Sequence, residues 1–349
     1  MQQRKYAIRE KVLQFIDAHG GVSSKDIFDA AKLGVSYATT KRILQVLSEE
    51  NLVYTSGNGK GTKYHVDSNF QLVVAVDVDD YFKLEADERS ILRTFNFSLF
   101  DKIEQSEFIF TEAERQKLER LQLEHQQRVA SLSEYDYRKE MERLAIDLSW
   151  KSSQIEGNTY SLLETERLLK EKTTAEGKSK DEAVMLLNHK EAIDFITDHP
   201  DYVTPLSVQA IEDIHSILIK ELNVPKNIRN HRVGITGTTY VPLDNDFQIR
   251  EALERMCLVI QGKRNVFEKA LLLLVNLSYI QPFSDGNKRT ARILSNAILM
   301  EAGICPLSFR TVDSIAYKKA MLIYYERNNL SAFKQIFMDQ FEFAVRSYF

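Results

Sequence analysis

A chain of 349 residues exceeds a typical single domain, which predicts two or three. With 44% hydrophobic and 28% charged residues, its composition is that of a globular protein and not of a disordered one. Basic residues number 46 and acidic ones 50, a net charge of −4, which excludes a uniformly basic nucleic-acid coat protein while allowing a local basic domain. Thirteen Gly and six Pro are few for this length, which favours helix over an all-β chain with many tight turns. The two cysteines, Cys257 and Cys305, are too few for a disulfide framework or a cysteine zinc cluster and read as core thiols in a reducing compartment. The N-terminus runs into an amphipathic segment rather than an apolar signal core. The longest apolar run, near Ala270–Val275, is too short to span a bilayer. Together these features predict a soluble, cytoplasmic protein with no membrane partner.

Residues 1–70 form the first predicted module. Ile8, Val12, Phe15 and Ile16 recur at helical spacing, so a helix runs to about Ala18, where His19-Gly20-Gly21 stops it. Ser23 or Ser24 caps a short helix over Lys25–Ala30. A turn at Leu33–Ser36 precedes a longer helix from Tyr37 to Glu50. Leu52–Thr55 and Thr62–Val66 read as strands joined by the glycine-rich tip Ser56–Gly61. This order of elements resembles a winged helix-turn-helix domain. The resemblance implies a third helix that enters the major groove with Ser36, Tyr37, Thr39, Thr40, Lys41 and Arg42. A wing carrying Asn58, Lys60 and Lys63 would lie on the phosphate backbone. Residues 1–67 hold ten Lys/Arg against seven Asp/Glu, a modest excess at the positions where phosphates would sit. The same fold could equally serve protein contacts or dimerisation.

Residues 71–130 are a predicted connector. Leu72–Val76 reads as a short strand, and Glu85–Phe100 and Thr111–Val129 as helices, the last opened by a Thr111/Glu114 capping box. From Ser131 to Leu148, Leu132, Tyr135, Met141, Leu144, Ala145 and Leu148 keep helical spacing. The only tryptophan, Trp150, follows as a packing anchor. Further helices are expected over Asp181–Thr197, Ser207–Leu222, Phe247–Gly262, Ala270–Ile280 and Thr290–Met300.

The chemistry concentrates in Gln281–Arg292 (QPFSDGNKRTAR). A loop that opens a helix presents unpaired N–H groups to an anion, and Gly286 allows close backbone approach. Arg289 and Arg292, three apart, share one helix face and could grip several phosphate oxygens. Asp285 at the helix start could hold Mg²⁺ against those phosphates. Phe283 reads as a core plug. These are the parts that phosphoryl-type transfer needs, although an Asp-Gly turn capping an ordinary helix would look alike.

The segment resembles the signature of Fic (Fido) proteins, His-x-Phe-x-Asp/Glu-Gly-Asn-Gly-Arg-x-x-Arg, at Phe283, Asp285, Gly286, Asn287, Arg289 and Arg292. Gln281 stands where the family has its histidine and Lys288 where it usually has glycine. Asn-Lys-Arg also occurs in the death-on-curing branch, which transfers phosphate. A second stretch, Ser152-Ser153-Gln154-Ile155-Glu156-Gly157-Asn158, resembles the family's inhibitory motif. By that resemblance Glu156 pairs with Arg292 and withholds it from the ATP γ-phosphate, where a plain reading sees a glycine-capped helix end. The resemblance covers residues 131–349. It implies an inhibitory helix over about 137–157, an all-helical core over about 181–345, and a small β-hairpin flap over Arg232–Pro242 whose edge, Thr238, Thr239, Tyr240 and Val241, aligns a target peptide.

The expected fold is therefore mainly α, a Fic core with a β-hairpin flap beside a winged helix-turn-helix domain. The implied activity is AMP transfer from Mg·ATP to a Ser, Thr or Tyr hydroxyl of a target protein, with Gly286, Asn287, Lys288, Arg289 and Arg292 on the nucleotide. A homodimer is compatible with it. The family's histidine takes the hydroxyl proton, whereas the Gln281 amide can only orient it by hydrogen bonding. His215 reads as a core or surface residue of a helix, and His231, ahead of the flap, could approach the site. Three readings stay open: a slow or altered transferase, a nucleotide sensor coupled to a DNA-binding regulator, and an active enzyme whose histidine has been replaced.

Overall fold

The computed structural model describes residues 2–50, 52–67 and 70–349, leaving aside the side chains of 2–7, 10 and 60. It is 62% helix and 3% strand, which makes the chain mainly α as the sequence predicts. The chain divides into two compact units, residues 1–75 with 105–116 and residues 76–104 with 117–349. The expected connector is thus shared between the two rather than standing apart. No described helix is long and apolar enough to cross a membrane.

The first unit opens with α1 (Gln2–His19), α2 (Ser24–Ala30) and α3 (Tyr37–Glu49). Ser23 caps α2 in a reciprocal box with Asp26, and Ser36 caps α3 by accepting from Thr39 N at 3.2 Å. Strands β1 (Val53–Ser56) and β2 (Lys63–Val66) pair antiparallel, Val53 opposite Val66. Val22 adds a bridge to Tyr64, with both N–H groups bonded, at 3.1 and 2.7 Å. Helix α3 buries Thr40, Leu44 and Leu47, the i, i+4, i+7 face of the turn pattern. The expected strand at Leu72–Val76 is instead a short helix, α4 (Phe70–Val73). Among the described residues the only sheet is β1–β2, which does not include that apolar run, and one helical turn buries Leu72 and Val73 together.

The second unit begins with α5 (Val78–Tyr81) and α6 (Ser98–Gln105), followed by α7 (Glu112–Ser131), whose first turn lies in the first unit. The expected capping box is present: Thr111 N donates to the Glu114 carboxylate at 2.8 Å. The helix expected over Glu85–Phe100 does not form. Its backbone groups bond outside the segment: Leu92 N to Glu326 O at 2.8 Å, Asn96 N to the Tyr279 hydroxyl at 3.0 Å, and Arg93 O from Val241 N at 2.9 Å. A buried Arg89–Glu326 ion pair at 2.9 Å pins the segment. Local helix propensity loses to these long-range partners.

Next come α8 (Glu134–Ile155), α9 (Leu162–Glu171), α10 (Lys180–Asp198), α11 (Val208–Leu218), α12 (Asp246–Gly262), α13 (Val266–Ile280), α14 (Asn287–Glu301), α15 (Ser314–Arg327) and α16 (Ser331–Tyr348). Helix α13 is buried on nearly every face, and Leu271, Leu272, Leu273, Leu274 and Val275 are wholly buried. Each such side chain contributes about 1.5–3 kcal/mol of hydrophobic stabilisation, so α13 is the axis on which α12 and α14 pack. Asp147 holds α8 by accepting from Arg310 at 3.0 Å and from the Tyr348 hydroxyl at 2.6 Å. Trp150, one turn further along α8, anchors it too, its indole N–H donating to Tyr160 O at 3.0 Å. Cys257 and Cys305 are both free and buried, and burial pushes the Cys257 thiol up to about 12.

The segment 232–242 departs from the expected hairpin. It turns at Thr236-Gly237 but forms no cross-strand ladder. Its single bridge runs parallel, from Val241 to Thr94. The only ladder of strands among the described residues is β1–β2.

Candidate functional site

The site is the turn between α13 and α14. Helix α13 ends on Gln281 in the left-handed region (φ 52°, ψ 57°). The loop then closes on Gly286 at φ +83°, a conformation that favours glycine, and a Cβ there would press on the His215 ring at 3.3 Å. Asn287 braces the loop: its Oδ1 accepts from Phe283 N at 2.8 Å, and its Nδ2 donates to Phe283 O at 2.8 Å and to Gln281 Oε1 at 3.0 Å. Asn287, expected on a nucleotide, is therefore buried and spent inside the loop. Phe283 is the expected plug, fully buried and stacked on His215 with centroids 3.6 Å apart. His215 is a core residue whose Nε2–H donates to Asp285 O at 3.0 Å, and burial lowers its pKa to about 4, so it is neutral at pH 7.

Three cations converge here. Arg289 is 1% exposed and donates to Asp285 Oδ2 at 2.9 Å, while its Nε and Nη1 have no partner. Arg292, 0% exposed, donates from Nε to Ser152 Oγ at 2.7 Å and from Nη2 to Ser152 O at 3.0 Å and Glu156 Oε1 at 2.8 Å. Its Nη1 has no partner. Lys288 donates to the other carboxylate oxygen, Glu156 Oε2, at 3.3 Å. Burial pushes the Glu156 carboxyl up, but Arg292 and Lys288 outweigh it and hold its pKa below the ordinary value. Glu156 is also the C-cap of α8, ahead of Gly157 at φ +103°, so the plain helix-end reading and the pairing with Arg292 hold together. Behind them, His189 Nε2 lies 2.7 Å from Ser152 Oγ, and burial keeps that imidazole neutral.

Gln281 is tied at both ends. Its Oε1 accepts from Asn287, and its Nε2 donates to Ser278 O at 2.6 Å. The cavity above the turn measures about 180 Å³ and is lined by Glu156, Val233, Gly234, Gln281, Ser284, Asp285, Gly286, Asn287, Lys288 and Arg289. Small-molecule sites typically measure roughly 300–1,000 Å³, so with Glu156 in place this one is too small for a whole nucleotide. Orphaned guanidinium nitrogens, first-turn N–H groups and αL Gly286 nonetheless are groups of the kind that can bind a polyanion. No group of three or more His, Cys, Asp or Glu among the described residues could hold a metal alone. Asp285, with a 61% exposed side chain, fits Mg²⁺ only as one ligand beside phosphates and water.

The other expected residues fall elsewhere. Val233 and Gly234, not Thr238–Val241, face the cavity. Tyr240 is buried, its N–H on Thr238 Oγ1 at 3.1 Å, and Val241 N–H is taken by Arg93, so both have spent the groups a peptide edge would need. In the first unit, Thr39, Lys41 and Arg42 are exposed, but Thr40 is wholly buried with its hydroxyl on Ser36 O. Lys63 pairs with Asp26 at 3.7 Å, and the Lys60 side chain lies outside the described residues. Sequence reasoning gave no role to Arg229, Ser152 or His189. Only Ser152 carried a signal, its place four residues before Glu156 in the second motif.

Residues 205–299 match the model of the Fic/DOC family. The chain is 30% identical over 181 residues to "Protein adenylyltransferase Fic" of Nematostella vectensis, covering 48% of this chain and 40% of that one. It is 28% identical over 222 residues to the protein of the same name in Culex quinquefasciatus, covering 53% and 43%. The chain thus spans less than half the length of these curated relatives. Among solved structures it resembles Fic-1 (residues 134–508) of C. elegans, with a TM-score of 0.60 at 21% identity, covering 68% of this chain and 72% of that one. It also resembles a Fic domain containing signaling protein of Bacteroides thetaiotaomicron, with a TM-score of 0.57 at 18% identity, covering 66% and 94%. The likeness shows a common fold.

Proposed function

We propose that the second unit is a Fic-type transferase that moves AMP from Mg·ATP to a Ser, Thr or Tyr hydroxyl of a protein target, and that Glu156 restrains it. The observation that carries this reading is the occupancy of both Glu156 oxygens by Arg292 and Lys288, two cations from the start of α14. While they are so held they cannot serve a terminal phosphate. Gly286, Lys288, Arg289 and Arg292 would hold the triphosphate and Asp285 the Mg²⁺, which neutralises phosphate charge as the leaving group departs. The test is intact-mass spectrometry of the chain after incubation with Mg·ATP, with and without Glu156→Gly. An AMP adduct that appears or grows in the variant supports the reading, and ATP binding with no adduct in either protein refutes transfer.

A second reading is favoured by Gln281, whose amide has no basic nitrogen and whose two ends are both engaged. The fold would then sense nucleotide, and residues 1–70, acting as a winged helix-turn-helix, would bind DNA through Thr39, Lys41, Arg42 and the wing. A gel-shift screen of the full chain with and without Mg·ATP tests it: retarded DNA whose amount depends on ATP supports the sensor.

A further inference from the structure

We propose that His231 is the general base that the turn lacks at position 281. This inference rests on the transferase reading above. The carrying observation is a staple. Arg229 is 3% exposed and donates from Nε to Gln281 O at 2.7 Å and from Nη1 to His231 O at 2.6 Å, while its own N–H bonds Pro282 O at 3.0 Å. One buried guanidinium thus fixes the His231 backbone beside the same turn on which Gln281 sits. The ring is solvent-accessible, with Nε2 at 3.5 Å from Ser284 Oγ, and Ser284 lines the cavity. That spacing is the outer limit of a hydrogen bond, the loose geometry expected of a base before its substrate arrives.

The other imidazoles near the turn are unsuited. His215 is stacked on Phe283 and donates to Asp285 O, and His189 is sealed behind Ser152 and Arg292. Carboxylates are committed too: Asp285 to Arg289 and Glu156 to Arg292 and Lys288.

In the proposed step the target hydroxyl oxygen bonds to the α-phosphorus of ATP. The bond from that phosphorus to the bridging oxygen breaks, and pyrophosphate leaves with the electron pair. The hydroxyl proton goes to the Nε2 lone pair of His231, and Gln281 keeps the turn closed without taking a proton.

The test uses the full chain carrying Glu156→Gly and reads transfer of label from α-phosphate-labelled ATP onto the protein. His231→Ala in that background should slow transfer by roughly 10²–10⁴-fold, the range of general-base assistance, with Mg·ATP affinity by calorimetry unchanged. Added imidazole should restore part of the rate. His231→Asn, which keeps a polar group opposite Ser284, should be as slow as alanine. Undiminished transfer by the alanine variant overturns the base assignment and leaves the transferase reading standing. A loss of rate matched by a loss of ATP affinity, with no imidazole rescue, overturns it in favour of a binding role. A Glu156→Gly parent that binds Mg·ATP yet transfers nothing overturns both.

Discussion

Glu156 and Arg292, 136 residues apart in sequence, meet at 2.8 Å across the ends of α8 and α14, and Arg292 is wholly buried at that meeting. A buried guanidinium needs partners, and Ser152 and Glu156 of α8 supply three of its hydrogen bonds. An anion that draws on Arg292 Nη2 must displace a carboxylate already in place.

Glu156→Gly should therefore strengthen Mg·ATP binding about tenfold or more, the factor set by the roughly 1.5–3 kcal/mol of a charged hydrogen bond no longer competing. Calorimetry on the full chain checks it. Combined with Gln281→His, the variant should transfer AMP far faster than either single change predicts, because base and phosphate alignment act together. Histidine tolerates the left-handed backbone of position 281 better than most residues.

The Glu156 pair also makes a pH prediction. Its carboxyl titrates below its ordinary 4.5 in the folded chain, so its contribution is complete above that value and fades as pH falls through the folded pKa. The melting-temperature gap between the natural chain and Glu156→Gln should be constant near neutrality and shrink below about pH 4.5. Arg292, its pKa raised above the ordinary value, stays charged throughout. A gap that instead widens with acid would show that the carboxylate is not stabilised by its cations.

Arg289→Ala should weaken Mg·ATP binding at least tenfold, because it removes the guanidinium whose Nε and Nη1 are unpartnered beneath the turn. Arg289→Lys should recover little, since an ammonium lacks the fork. Unchanged affinity would place the phosphates elsewhere.

Breaking the buried Arg89–Glu326 pair should cost about 3–5 kcal/mol, because Arg89→Met leaves the buried Glu326 carboxylate bonded to the Tyr81 hydroxyl but without the Arg89 cation. Arg89 also donates to Gly237 O, so the loss should reach the turn of segment 232–242. Urea unfolding of Arg89→Met, Glu326→Gln and the double variant checks it: the double should be less destabilised than the sum of the singles.

If residues 1–70 bind DNA, Lys41→Ala and Arg42→Ala should each flatten the log–log salt dependence of affinity by about 0.9 per lost phosphate contact. Thr40→Val should act on stability instead, since Thr40 is on the buried face of α3. Filter binding across a salt series distinguishes the two.

The sequence by itself determined much of this protein. Apolar periodicity specified α1, α3, α8 and α10–α14 within a few residues, because each buries a continuous face. The Gln281–Arg292 and Ser152–Asn158 motifs located the site, since glycine at φ +83° and paired arginines are written in residue type. Tertiary structure decided what local signals could not. Residues 85–97 abandon helix because Glu326, Tyr279 and Val241 offer their backbone partners from far along the chain. Tyr240 turns inward to stack 4.9 Å from Tyr279, so Val233 and Gly234 face the cavity in its place. Lys288 becomes the second cation on Glu156, and Arg229 clips His231 to the Gln281 turn. Apart from the local Arg229–His231 link, these are pairings between groups far apart in the chain or on separate elements, and no local pattern encodes which distant group will be the nearest partner once the core has closed.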